Sequence, residues 1–505
     1  MKKKRPVSIE KLEFQVVGEE AETKGVIETD TPFRVAILDD FSGRANRGLF
    51  EIGPELASRR LLRVDRDNLD GLPEKMGAQI HLPVGGKGSP PVVVRFTELD
   101  SFHPDHLYEE VDAFRGLVIA RQKLAGPRSL PKAPIEGRST EPKIPGFTSG
   151  SLLDEIIEET APGSTEKRPS SDASEWNTFL KKTVEPYAIP APSPDEADLI
   201  SSVEAVTSKL MRGILHFPDF QALESAWRGV AFLISRLETD SGIEIYLLDL
   251  SKAELAADLR GTEKVEASGL YQLLVEQSID KFGPDPWAVI AGNYVFDHTQ
   301  EDGKLLERIG RIAEGLDAPF ISSASSRLLG CESLADTPDP DDWQQPEGGE
   351  TGRTWQRLRK LPEAAYVGLA LPRFILRLPY GANTDPIEAF PFEEMLSVPR
   401  HEDYLWCNPC IACIYLLAEA FSQDGWNFRP GTIQDVGSLP VHVYKEEGES
   451  EMKPCAEAFL SQRAAEIILD KGLMPLLSFR DRDAIRLVRF QSIADPLTTL
   501  AGKWG

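Results

Sequence analysis

Cys407, Cys410 and Cys413 form a C-x2-C-x2-C run, a spacing by which thiolates hold zinc or an iron-sulfur cluster. A closed tetrahedral site needs a fourth ligand, and no His or further Cys stands within a plausible turn of the three. They lie inside an apolar stretch, residues 404–421, at i, i+3 and i+6, which lays them along one rough stripe of a helix. Free cysteine packs as a small hydrophobe, so buried packing is the weightier reading and metal the lesser. His103-Pro104-Asp105-His106 places two imidazoles and a carboxylate within four residues, which suits metal or acid-base chemistry. The same residues make a good helix start, with Pro104 in the first turn and Asp105 facing the positive end of the dipole. His216, just ahead of Pro218, closes a helix in the same structural way.

Nucleotide and nucleophile motifs are absent from the sequence. Gly85-Gly86-Lys87-Gly88 lacks the spacing and the trailing Ser or Thr of a phosphate loop, and it reads as an exposed hairpin loop. The serines of residues 322–326 do not stand in a G-x-S-x-G elbow, and no ordered His and acid accompany them. No catalytic, metal or cofactor residue is assigned, no cofactor is expected, and the chain is not expected to be an enzyme.

The elements that would position such residues follow from composition and periodicity. The chain has 505 residues, 41% of them hydrophobic and 27% charged, which is globular composition and enough for two or three domains. A net charge of -25 opposes diffuse attraction to nucleic acid or anionic lipid. Lys2 to Arg5 is not followed by the apolar stretch of a signal peptide, and no window approaches 18 uninterrupted apolar residues. Five cysteines in so long a chain make no disulfide framework, which points to a reducing, cytoplasmic setting.

Residues 1–124 read as a small α/β domain. Residues 12–17 alternate at first, residues 32–41 form a mostly apolar strand expected to be central, residues 79–84 and 91–96 bracket a glycine-rich connection, and 105–124 has helical spacing. Residues 125–150, with five prolines and four glycines, read as a linker. Within the tether 125–194, residues 151–160 carry Leu152, Leu153, Ile156 and Ile157 on one face and four acids on the other, a short amphipathic helix. Residues 195–505 read as one large α/β domain with a mixed sheet covered by helices. Two helices split at Pro218, strands are expected at 243–250, 287–296, 319–324 and 366–371, and a long helix is expected from Asp403.

These ordered segments resemble the type VI secretion contractile sheath. The first 124 residues are similar to its small subunit through Pro32-Phe33-Arg34-Val35, Asp40-Phe41-Ser42-Gly43-Arg44, Val64-Asp65-Arg66-Asp67-Asn68 and Phe102-His103-Pro104-Asp105. Residues 151 to about 445 resemble the large subunit. The motifs include Leu215-His216-Phe217-Pro218-Asp219, Glu224-Ser225-Ala226-Trp227-Arg228-Gly229, Gly292-Asn293-Tyr294-Val295-Phe296, Tyr366-Val367-Gly368-Leu369-Ala370-Leu371-Pro372-Arg373-Phe374 and Leu376-Arg377-Leu378-Pro379-Tyr380-Gly381. The order implies a natural fusion of two normally separate subunits, with a shortened large-subunit ending.

The resemblance implies a structural protein of the cytoplasm that self-associates into a helical sheath or rings around an inner tube, above a baseplate, and contracts to propel the tube. It implies strand exchange between protomers, for which Leu12, Phe14 and Val16 are the expected donor. It also implies recognition of a short helix by an AAA+ disassembly ATPase, for which Leu152, Leu153, Ile156 and Ile157 are the expected contacts. Neither nucleic acid nor membrane insertion belongs to that picture. The alternative is an accessory sheath-like protein that nucleates, caps or regulates assembly without forming long polymers.

Overall fold

In the computed structural model, which describes residues 30–83, 91–125, 194–239, 242–276, 285–344, 350–396 and 398–504, the apolar run Phe33–Asp39 forms strand β1 with all seven residues buried. Its stretch Val35 to Leu38 is uninterrupted apolar sequence, as a strand covered on both faces needs, with Arg34 and Asp39 toward its two ends. It is followed by β2 (Leu62–Val64), β3 (Gln79–Leu82), β4 (Val92–Arg95) and, among helices of seven residues or more, α1 (Pro104–Glu110) and α2 (Asp112–Ala125). Next come α3 (Pro194–Leu215), α4 (Pro218–Arg236), β5 (Ile243–Asp249), α5 (Lys252–Arg260), β6 (Trp287–Phe296), α6 (Gln300–Leu316), β7 (Phe320–Ala324), α7 (Glu350–Arg359) and β8 (Val367–Leu371). The last part holds β9 (Phe374–Ile375), β10 (Trp406–Cys407), α8 (Pro409–Asp424), β11 (Asp435–Val436), β12 (Val443–Glu446), β13 (Glu449–Met452), α9 (Gln462–Asp470), β14 (Met474–Ser478) and β15 (Ile485–Leu487).

Nine strands make one mixed sheet in the order β11-β15-β14-β8-β7-β6-β1-β5-β2. The six strands from β14 to β5 run parallel, while β15, β11 and the opposite edge strand β2 pair antiparallel. Leu38, Leu248, Ile290, Phe320 and Leu369 build the core on one face with Leu255 and Leu259 of α5, Leu306 and Ile309 of α6, Leu358 of α7 and Ile468 of α9. On the other face α8 packs on β1, β6, β7 and β8, and α4 packs on α8. The outermost strands are only three and two residues long, which limits the unpaired edge offered to other chains.

The division expected at residue 124 is not a spatial one. Strand β1, from the N-terminal segment, lies between β5 and β6 of the large segment and is parallel to both, in register from Phe33 opposite Ile243 to Asp39 opposite Asp249. The chain divides instead into a unit of residues 1–110 with 212–505 and a second unit, 111–211. Within the second unit, Arg121 Nε of α2 donates to Glu204 Oε1 of α3 at 2.9 Å.

Two element boundaries differ from expectation. The helix read over 105–124 is divided at Val111 into α1 and α2. The helix expected from Asp403 starts only at Pro409: His401–Asp403 is a single 3-10 turn, and Trp406–Cys407 is a strand. Pro409 has no N–H to continue a helix backwards, and Asn408 caps the new start by accepting from Cys410 N at 2.9 Å.

Candidate functional site at the β1 joint

Strand β1 makes the most extensive joint between chain segments in the sheet, pairing with both β5 and β6. Phe33, Val35, Ala36, Ile37 and Leu38 are at most 1% exposed. Large apolar side chains buried to that degree contribute about 1.5–3 kcal/mol each, so the strand is anchored by its own side chains as well as by two parallel ladders. At its start, Phe33 packs against Phe421 of α8 at 5.0 Å between ring centres. Arg34, beside it, pairs with Glu244 of β5 at 2.7 Å.

Polar residues gather where β1, β5 and β6 end. Asp39 accepts a short hydrogen bond from Asn293 Nδ2 of β6, and Asp249 accepts from Ser42 Oγ at 2.7 Å and Ser42 N at 3.1 Å. Burial pushes the Asp39 carboxyl up to about 8, against the Asn293 hydrogen bond and with the repulsion of Asp40 and Asp249 behind it. Burial likewise raises Asp249 to about 6.

One layer further, Glu254 ties three segments together. It is the third residue of a capping box: Ser251 Oγ accepts from Glu254 N, and Ser251 N donates back to Glu254 Oε2 at 3.1 Å. Its carboxylate, fully buried, also takes Arg44 Nη2 at 3.0 Å, the Glu51 backbone N–H at 2.9 Å and a short contact from Arg59. Burial works against its charge, but the Arg59 and Arg44 hydrogen bonds prevail and hold the carboxyl at about 2. Asp258, one turn on, accepts from Gly53 N at 2.7 Å, so α5 grips the 51–53 segment at two points.

The Asp40-Phe41-Ser42-Gly43-Arg44 motif is the chain's turn into this cluster. Asp40 accepts from Ala45 N at 2.8 Å, and Gly43, at φ 74, lies so close to the Gln79 carbonyl that a Cβ there would collide with it. Phe41 meets Trp227 of α4 at 5.4 Å, and Trp227 Nε1 donates to the Phe41 carbonyl at 2.9 Å. Phe220 receives Phe96 at 5.9 Å and Phe102 at 5.8 Å. His103-Pro104-Asp105-His106 does start a helix, and Asp105 accepts from the backbone of Glu388 and Ala389, the closer bond being 2.8 Å. The motifs of the two segments therefore meet one another.

A second buried network braces the large segment. Arg377 bridges Glu224 of α4 at 2.8 Å and Glu394 at 2.8 Å, while His216 Nδ1 lies 3.2 Å from Asp403. Burial opposes the charge of Glu394, but Arg377 and His216 hold it at about 2. His216 thus serves a charged cluster rather than simply ending a helix.

The remaining sequence candidates that fall among the described residues have structural placements. Cys407, Cys410 and Cys413 are buried, and burial drives all three thiols upward, away from the thiolate that a metal requires. Only Cys410 and Cys413 are on α8; Cys407 lies on β10. Among the described residues no group of three or more His, Cys, Asp and Glu is placed to hold a metal ion. Ser322 Oγ donates to the Gly292 carbonyl at 2.7 Å, locking β7 to β6. A cleft of about 400 Å3 at the ends of β6, β7 and β8 includes Ser325 and His401, but His401 contacts Glu457 at 3.0 Å and Lys453 at 3.3 Å. The glycines 85, 86 and 88, the donor residues Leu12, Phe14 and Val16, and the helix residues Leu152, Leu153, Ile156 and Ile157 lie outside the described residues.

The Glu254 node escaped the sequence reading, although Ser251-x-x-Glu254 before an apolar helix is a legible cap. Nothing local in the sequence indicated that Arg44 and Arg59, about 200 positions away, would converge on it.

Residues 197–494 match the model for the tail sheath N-terminal domain, VipB (EvpB/VC_A0108). The chain belongs to the type VI secretion tail-sheath family. Residues 11–130 match a second model, described as "Type VI secretion system, VipA, VC_A0107 or Hcp2", so one chain carries both sheath segments. The type VI secretion system sheath protein TssC1 of Pseudomonas aeruginosa PAO1 is 32% identical over 328 residues, 62% of this chain. The chain spans 66% of that relative's length. The joint around β1 is therefore where the VipA-like and VipB-like segments of this sheath chain are built into one sheet. Among the described residues, no helix is long and apolar enough to cross a membrane.

Proposed function

We propose that the chain is a fused sheath subunit that polymerises around an inner tube and contracts to propel it, without enzymatic activity of its own. The observation that carries this reading is the position of β1. A strand from the VipA-like segment completes the parallel sheet of the VipB-like segment, so the fused chain supplies both halves of one protomer. The division into residues 1–124 and 195–505, joined through 125–194, then marks two ancestral subunits rather than two separate folds.

The finer parts of the reading are that Leu12, Phe14 and Val16 supply a strand to a neighbouring protomer and that Leu152, Leu153, Ile156 and Ile157 are read by an AAA+ disassembly ATPase. A cytoplasmic site of assembly and contacts with tube and baseplate belong to the same reading. Electron microscopy of the purified chain, alone and with inner tube protein, tests it. Helical tubes or stacked rings are expected, and a chain that stays monomeric under both conditions would sink the sheath-forming role.

A further inference from the structure

The chain carries 56 Lys and Arg against 81 Asp and Glu, yet one open cleft of about 410 Å3 reverses that balance. It lies among α5, α6 and α7, where Arg260, Lys304, Arg308, Arg311 and Arg357 face the single carboxylate of Glu307. Arg311 is engaged, donating to Glu307 at 2.7 Å and Glu363 at 3.0 Å. Arg308 Nη2 donates to the Thr262 carbonyl at 2.7 Å, whereas its Nε is buried and meets no acceptor among the described residues. Among the described residues, Arg260, Lys304, Arg308 and Arg357 form no ion pair. Cations gathered in one cleft repel one another, and an entering anionic partner relieves that repulsion.

The complementary feature is the hairpin β12–β13. Glu446, Glu447, Glu449 and Glu451 stand there against Lys445, all five exposed, and no described cation pairs with the four carboxylates. Its tip is Glu447 at φ 52 followed by Gly448 at φ 95, the two left-handed residues of a tight hairpin turn. Among the described residues the ribbon pairs with no third strand, and a two-stranded ribbon is marginal in water without further support.

We propose that the β12–β13 tip of one copy docks, carboxylates first, into the α5–α6–α7 cleft of the next copy. This rests on the self-assembly reading and names a contact for it. Two different patches of one chain that complement each other make a heterologous contact, and repetition of such a contact generates an open helical array. Charge at the rim of such a contact steers association and sets its salt dependence.

The test uses the full chain and exposed positions only. Charge reversal of the hairpin, Glu447→Lys with Glu449→Lys, and of the cleft, Arg260→Glu with Arg357→Glu, are expected to abolish assembly separately. Mixing the two variant chains is expected to restore it, because each then meets an opposite charge. Assembly by both variants alone, or failure of the mixture, overturns the contact. A chain that does not assemble at all defeats the sheath reading instead, so binding is measured independently. A cyclised peptide of residues 443–452, titrated onto the full chain, is expected to lose at least about tenfold in affinity with the cleft variant, and again on raising salt from about 50 to about 500 mM. No binding of the wild-type peptide, or tight binding of pyrophosphate without the peptide, rejects the hairpin as the occupant.

Discussion

Asp39, the last residue of β1, stands opposite Asp249, the last residue of β5, in the parallel register. Two strands that come from different sheath segments thus bring two carboxyl groups together at the ends of one sheet, and burial raises both.

That pairing gives the fold a pH dependence of definite sign. Asp39 is held near 8 and Asp249 near 6, both above the ordinary Asp value of 3.8. Folding therefore takes up protons, and the resulting stability is fully present below about pH 4 and is lost as pH rises through about 6 and then 8. Asp39→Asn should flatten the upper part of this slope and leave the variant more stable than the native chain above pH 8, by on the order of 2 kcal/mol. Urea unfolding at pH 5, 7 and 9 measures it; parallel pH profiles for both proteins would refute the assignment to Asp39.

Glu254 acts in the opposite direction. Its carboxyl is held at about 2 against an ordinary 4.5, so its contribution is present above about pH 4.5 and is lost as pH falls toward 2. Glu254→Gln leaves Arg44 and Arg59 facing a neutral group in a buried site, and a loss of about 3–5 kcal/mol is expected. A loss below about 1 kcal/mol in denaturant titration would mean that the arginines find other partners.

Because β1 lies inside the sheet, cutting the connection should not part the two segments. A protease site introduced at Gly150 and cleaved in the folded chain should leave residues 1–150 and 151–505 coeluting on a sizing column, with unchanged circular dichroism. Separation of the fragments without denaturant would contradict a shared sheet.

The two proposed partner segments are separable by deletion and by charge. Removing residues 1–20 should leave a soluble folded chain that no longer assembles. Leu153→Asp with Ile157→Asp should abolish binding of the disassembly ATPase, since two charges would lose solvation in an apolar groove, while the melting temperature moves little. Unchanged assembly in the first case, or lost stability with intact ATPase binding in the second, would remove those assignments.

Some features were legible in the chain because they depend on neighbours in sequence. The mostly apolar run at 33–39, unbroken from Val35 to Leu38, calls for a strand covered on both faces, and β1 is central. Pro218 divides α3 from α4, and Ser251 with Glu254 writes the start of α5. A long apolar run also hid a local signal: Asn408 and Pro409 start α8 after Cys407, so the apparent cysteine stripe joins a strand residue to two helix residues.

The sequence by itself determined the strands near 33–39, 243–249, 287–296, 320–324 and 367–371 and the helix break at Pro218 and, through its ordered motifs, which family the chain resembles. Only the tertiary structure decided that β1 enters between β5 and β6, and that Arg44 and Arg59 meet on Glu254. The physical reason is that periodicity and capping act over a few residues, where chain geometry dictates the contact. Strand order and charge pairing join positions about 200 apart, and they are selected by which arrangement buries the apolar faces while leaving each buried charge a partner.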